Sequence, residues 1–162
     1  MKLKIFATGG TLDKIYNEAD GSLIFNETHL NKMLGEYKNK VDAEVETIML
    51  IDSLYMKDHH RQEILNKCMS CEEDRIVITH GTDTMVETAK LLGDKIKNKT
   101  IVLTGAMVPY SLIKSDAHFN LGCAMAFAQT LPNGVYIAMH GKIFNHDNVM
   151  KNKETSEFET IK

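Results

Sequence analysis

RIVITHGTDTMVETAKLLGDKIKNKTIVLTG, residues 75 to 105, reads as strand, turn, helix and strand in immediate succession. RIVITH (75 to 80) and TIVLTG (100 to 105) are near-continuous apolar runs of the kind found in strands covered on both faces. Between them Met85, Ala89 and Leu92 recur at helical spacing, so the stretch forms a βαβ unit with parallel strands. The alternation continues outward, with further strands predicted at LKIFAT (3 to 8), AEVETIML (43 to 50) and GVYIAMHG (134 to 141). AEVETIML is the most polar of the five and is expected near a sheet edge. Helical stripes lie at Leu30, Met33, Leu34 and Tyr37, and at Ile64, Leu65, Cys68 and Met69. A fourth helix is expected over 117 to 130, where Leu121, Ala124, Met125 and Ala128 form a stripe whose small residues permit close approach to a sheet. The expected fold is one three-layer α/β domain over residues 1 to 150. Its sheet is doubly wound and mostly parallel, Rossmann-like or flavodoxin-like, built from βαβ units rather than hairpins, with helices on both faces.

Two segments depart from this pattern. DKIYNEADGSLIF (13 to 25) is a long connection after the first strand with a turn expected at Gly21, a length that suggests a flap. KNKETSEFETIK (151 to 162) is polar, with only Phe158 and Ile161 to bury, and is expected to be a tail. With 162 residues, 43% hydrophobic and 25% charged, the chain suits one globular core. A formal charge of −3 without a basic block argues against nucleic acid or an anionic membrane as partner. No apolar run approaches the roughly 18 to 20 residues needed to span a bilayer, and the N-terminus lacks a signal-peptide pattern, so a cytoplasmic location is expected. Three cysteines, Cys68, Cys71 and Cys123, are expected to be reduced thiols.

In an open parallel sheet ligands bind outside the carboxyl ends of the strands. Those ends carry ATGGT (Thr8, Gly9, Gly10, Thr11), IDSLY (with Asp52 and Ser53), THGTDT (Thr79 to Thr84, with Gly81) and LTGAM (from Leu103), and the fifth ends at His140 and Gly141. Any one of Thr82, Asp83 and Thr84 has an ordinary reading as a helix N-cap. Convergence of several such ends is what capping leaves unexplained. Phosphate binding is disfavoured, because ATGGT is not G-x-G-x-x-G and no G-x-x-x-x-G-K-[ST] occurs. Neither Asp58, His59 and His60 nor His140, His146 and Asp147 has a zinc spacing, so no metal and no cofactor are expected. Cys68 and Cys71 form a C-x-x-C late in a helix, where packing is the better reading, and His80 reads as a buried structural histidine.

ATGGTLDKIY and ITHGTDTMVETA, in that order, closely resemble the two signature motifs of the bacterial-type L-asparaginase family. LTGAM followed by SDAHFNL is similar to a further block of that family, LTGAMRP with SDGPFNL. The resemblance covers almost the whole chain. It implies hydrolysis of a side-chain amide, with L-asparagine as substrate and minor glutamine activity, through an acyl-enzyme on threonine. By the same resemblance Thr11 is the nucleophile, and Thr82, Asp83 and Lys99 form a Thr-Lys-Asp arrangement. Ser53, with Asp52 beside it, holds the substrate α-carboxylate, Asp83 binds its ammonium, and Tyr16 in the flap closes over the nucleophile. Gly10 and Gly81 belong to the substrate-binding loops. A threonine hydroxyl needs such help, being a weak nucleophile at neutral pH. Backbone N–H groups at Thr11 and Thr82 are natural oxyanion donors, each worth about 3 kcal/mol of barrier.

Four features depart from the family pattern. Leu54 follows Ser53 where many members have a polar residue, and Val108 replaces the arginine of LTGAMRP. The spacing from Thr11 to Tyr16 is shorter than in many members. Most members also carry a second, smaller domain, and the chain is expected to be a short form that self-associates as a homodimer or homotetramer. Two rival readings carry no turnover requirement: an amino-acid-binding or regulatory domain, or one component of a larger amidotransferase.

Overall fold

A computed structural model of the chain describes residues 1 to 36 and 38 to 162; Tyr37, on the first helical stripe, lies outside the described residues. The elements run β1 (Leu3–Gly9), β2 (Lys14–Tyr16), β3 (Leu23–Phe25), α1 (Leu30–Glu36), β4 (Ala43–Ile51), α2 (Asp58–Ser70), β5 (Arg75–Thr79) and α3 (Met85–Lys95). They continue as β6 (Thr100–Thr104), α4 (Ala117–Thr130), β7 (Gly134–Met139), β8 (Lys142–Asn145), β9 (Met150–Lys151) and β10 (Phe158–Glu159). The main sheet has the order β4-β1-β5-β6-β7-β8, parallel throughout except for the last pair. The first five strands therefore follow the flavodoxin-like 2-1-3-4-5 order, with the polar β4 at the edge expected for it.

Alternation along the strands explains why both faces are covered. Phe6, Ile76, Ile78, Ile101 and Leu103 point into one core with Ile64, Leu65 and Cys68 of α2 and Met85, Ala89 and Leu92 of α3. Their neighbours Ile5, Ala7, Val77 and Val102 point to the other, against Leu30 and Met33 of α1 and Ala117, Leu121, Ala124 and Ala128 of α4. Side chains on a strand alternate faces with period two, so near-continuous apolar strands supply two cores at once. The row of alanines on α4 lets that helix lie close to β6 and β7.

Hairpins enter where none was expected. β7 turns straight back into β8 through His140 (φ 51) and Gly141 (φ 80), two consecutive positive-φ residues of the kind found in two-residue hairpin turns. Residues 14 to 25 close as the β2–β3 hairpin, which gives the expected flap a regular structure. The segment 151 to 162 is more than the polar tail expected. β9 pairs with β10, and Phe158 is buried in the core beside α2 and α3. Burying the Phe158 side chain contributes about 2 to 3 kcal/mol toward holding the segment.

Candidate active site

β1 and β5 are adjacent, but the chain leaves β1 toward β4 on one side and takes up β5 on the other. Such a reversal opens a crevice at the carboxyl ends of the two strands. Three loops close on one another there because two of their residues lack side chains. A Cβ built on Gly10 would lie 2.4 Å from the Gly81 nitrogen, and one on Gly81 would lie 2.5 Å from Ser53 Oγ. Thr11 and Thr82, each one residue beyond a contact glycine, flank the same junction. Gly10 also has φ 77 and ψ −178, a region essentially restricted to glycine. Gly10→Ala is therefore expected to destabilise the fold by about 3 kcal/mol or more, strain and overlap adding together. Gly122→Ala, at an exposed site of α4 with nothing within 4 Å of the new Cβ, should stabilise by about 0.5 to 1 kcal/mol. Urea unfolding of the two variants gives both numbers, and equal midpoints would contradict the packing described.

Capping fails to account for the residues after Gly81. Thr84 precedes α3 without capping it through its side chain; its hydroxyl donates to Ser53 O at 2.9 Å, and its N–H donates to Ser53 Oγ at 3.3 Å. Thr82 and Asp83 instead share a cation. Lys151 Nζ, reaching in from β9, donates to Thr82 Oγ1 at 2.8 Å and to Asp83 Oδ1 at 2.7 Å. Thr82 is 6% exposed. Thr82 and Asp83 are thus joined through one ammonium, with the Thr82 hydroxyl nearly dry, and neither bond is a helix cap.

Lys99 lies elsewhere. Its ammonium donates to the carbonyls of Cys71 at 2.6 Å and Glu73 at 2.9 Å, beyond the end of α2. It immediately precedes β6 and so sits at the amino-terminal end of a parallel strand, whereas the crevice lies beyond the carboxyl ends. Five residues of strand separate the two by about 16 Å. The Thr-Lys-Asp grouping expected with Lys99 is made by Lys151, in the segment whose polarity reads as a tail.

The asparaginase N-terminal family model matches residues 2 to 162. The chain belongs to the asparaginase family. It is 34% identical to an L-asparaginase of Thermococcus kodakarensis over 157 residues, 93% of this chain and 48% of that protein. A solved structure titled as the thermostable L-asparaginase of that organism superposes with a TM-score of 0.86 at 31% identity, covering 99% of this chain and 51% of its own. A component of the glutamyl-tRNA(Gln) amidotransferase of the same organism is 32% identical over 145 residues, 85% of this chain and 33% of that protein. The chain thus spans about half the length of the L-asparaginases it matches.

In this asparaginase-family chain the other expected site residues have distinct settings. Ser53 is buried against Gly81 in a short turn, Ser53 to Tyr55. Asp52 starts that turn, with Oδ1 accepting the Leu54 N–H at 3.0 Å and Oδ2 accepting Lys14 Nζ at 2.5 Å. Burial works against its charge, but Lys14 and the Leu54 N–H outweigh burial and lower its pKa. Both oxygens have partners within the protein, so Asp52 holds the turn in place. Tyr16 is 55% exposed, and its hydroxyl lies over the turn of its own hairpin, 3.6 Å from where a Gly21 Cβ would be. The structure does not bring it onto Thr11. Leu54, the middle residue of the Ser53 turn, is exposed.

The SDAHFN segment organises the loop after β6. Asp116 accepts the N–H groups of Met107 and Val108, and Asn120 Nδ2 donates to Gly105 O at 2.9 Å. Val108 therefore contributes its backbone to this loop. Met107 is fixed with its sulfur 3.8 Å from Thr82 Oγ1. His80 is fully buried, bonded through its ring nitrogens to Gly81 O and Thr88 Oγ1. Burial pushes its pKa down to about 4, so it is a neutral support for the Gly81 turn. Cys68 is buried in the core, and burial raises its thiol pKa. No helix among the described residues is long and apolar enough to cross a membrane.

Proposed function

We propose that this chain hydrolyses the side-chain amide of L-asparagine to L-aspartate and ammonia through an acyl-enzyme on Thr11. The observation that carries the reading is the Thr82–Lys151–Asp83 cluster, placed at the junction where Gly10 presents Thr11. In the acylation step Thr11 Oγ1 bonds to the amide carbon, and the carbon–nitrogen bond then breaks. The Lys151 ammonium gives a proton to the departing nitrogen, which leaves as ammonia, and regains one from Thr82 as Thr82 takes the hydroxyl proton of Thr11. Water then adds to the Thr11 ester, aspartate departs and the threonine regains its proton. Asp83 has one oxygen on Lys151; the other is offered to the substrate ammonium, while Ser53 takes the α-carboxylate. Backbone N–H groups at Thr11 and Thr82 serve the oxyanion.

Glutamine differs from asparagine by one methylene, worth only about 1 to 3 kcal/mol of discrimination, so minor glutaminase activity belongs to the same proposal. The rival is a non-catalytic binding domain or amidotransferase component, motivated by the likeness to the glutamyl-tRNA(Gln) amidotransferase and by the half-length coverage. Ammonia release from L-asparagine and L-glutamine by the purified protein separates the two. Turnover supports the hydrolase. Aspartate binding without turnover of either amide supports the rival. Sedimentation of the same sample tests the homodimer or homotetramer expected of it.

A further inference from the structure

The β2–β3 hairpin is fastened at its base. Tyr110 N donates to Leu12 O at 3.1 Å, and Ser111 Oγ donates to Lys14 O at 2.9 Å. The Lys14 ammonium bonds Asp52 and lies 5.7 Å from the centre of the Phe25 ring on the return strand. Beyond that base, Tyr16, Leu23 and Ile24 are all exposed. Asp52 in turn divides its carboxylate between the hairpin, through Oδ2, and the Ser53 turn, through Oδ1. Side-chain exposures of 16% for Lys14 and 23% for Asp52 keep the pair out of reach of most screening by salt.

We propose that the Lys14–Asp52 ion pair tethers the flap hairpin to the Ser53 turn, making Lys14 and Asp52 positioning residues for substrate recognition. Neither need touch the reacting atoms. Breaking the pair frees the hairpin base on one side and, on the other, removes the contact that holds the Asp52 side chain against the Ser53 turn, so substrate affinity falls while the Thr82–Lys151–Asp83 cluster stays intact. A carboxylate cut off from its cation is left partly buried and uncompensated, so either half alone suffices to undo the tether.

Lys14→Met, Asp52→Asn, the double variant and Lys14→Arg form the test, read by amide hydrogen exchange over residues 15 to 25 and by steady-state kinetics. Exchange over the hairpin should rise about tenfold in each single variant with the rest of the chain unchanged, since tethers of this kind hold local opening equilibria. KM for L-asparagine should rise about tenfold with kcat within about threefold, the signature of lost binding rather than lost chemistry. The double variant should be no worse than either single one, and Lys14→Arg should restore most of the loss. Unchanged hairpin exchange in both single variants overturns the tether, as does a double variant whose effects simply add. The kinetic arm rests on the proposed hydrolase reading. The exchange arm does not, so a wild-type protein without turnover would sink that reading and leave the tether to be decided by exchange alone.

Discussion

Thr11→Ala is expected to lower kcat for L-asparagine by at least about a thousandfold, because removal of an acylated nucleophile deletes a step rather than weakening one. Thr11 opens a short helical turn, Thr11 to Asp13, one residue past the Gly10–Gly81 contact. Its place is fixed by that backbone contact, which the substitution leaves alone. Folding stability should accordingly change by no more than about 1 kcal/mol. Thr11→Ser keeps the hydroxyl and should retain measurable turnover. Trapping of an aspartyl ester on residue 11 by rapid quench, present in wild type and absent in Thr11→Ala, is the direct measurement. Activity above a tenth of wild type in Thr11→Ala would reject the mechanism.

Lys151→Met should be nearly as damaging, with kcat reduced about 10²- to 10⁴-fold, the range associated with a positioned proton carrier. Its ammonium bridges Thr82 and Asp83, so its loss strands a nearly buried hydroxyl and an acid together. Lys99→Met supplies the contrast. Lys99 bonds two main-chain carbonyls at the opposite end of the sheet, so its loss should cost about 1.5 to 3 kcal/mol of stability and leave kcat within a few-fold. Measuring kcat and unfolding midpoints for both variants gives a crossed pattern if the geometry is right. A kcat collapse in Lys99→Met with Lys151→Met unaffected would return the proton-carrying role to Lys99.

The two lysines also show what is legible in the sequence and what is not. Strand and helix periods suffice for the sheet, the four helices and the edge position of β4, because burial on two faces writes itself as near-continuous apolar runs. The same runs locate the crevice, since the ends of parallel strands follow from their direction alone. Lys99 enters through the family resemblance, although a residue preceding a parallel strand lies at the end remote from the ligand. Lys151 is hidden for the opposite reason. Its segment is polar and its strands are two residues long. Val149 and Phe158, both buried, bracket the segment and are the available signal. The β7–β8 hairpin escapes a reading that ends the strand at His140 and Gly141, because only their consecutive positive φ angles mark the pair as a turn. The expectation that Asp52 meets substrate follows from its position in IDSLY; periodicity carries no information on Lys14, which occupies one of its oxygens.

Anchoring Lys151 on a strand formed late in the chain has a temporal consequence. On the proposed mechanism the nucleophile at position 11 is synthesised first among these groups, and its proton carrier follows 140 residues later, in a segment that Phe158 joins to the core. On that mechanism, a chain whose β9–β10 segment has not docked carries Thr11 without its lysine. Under the proposed mechanism, hydrolytic competence would then wait on the docking of this last segment, an interlock that reports completion of the fold.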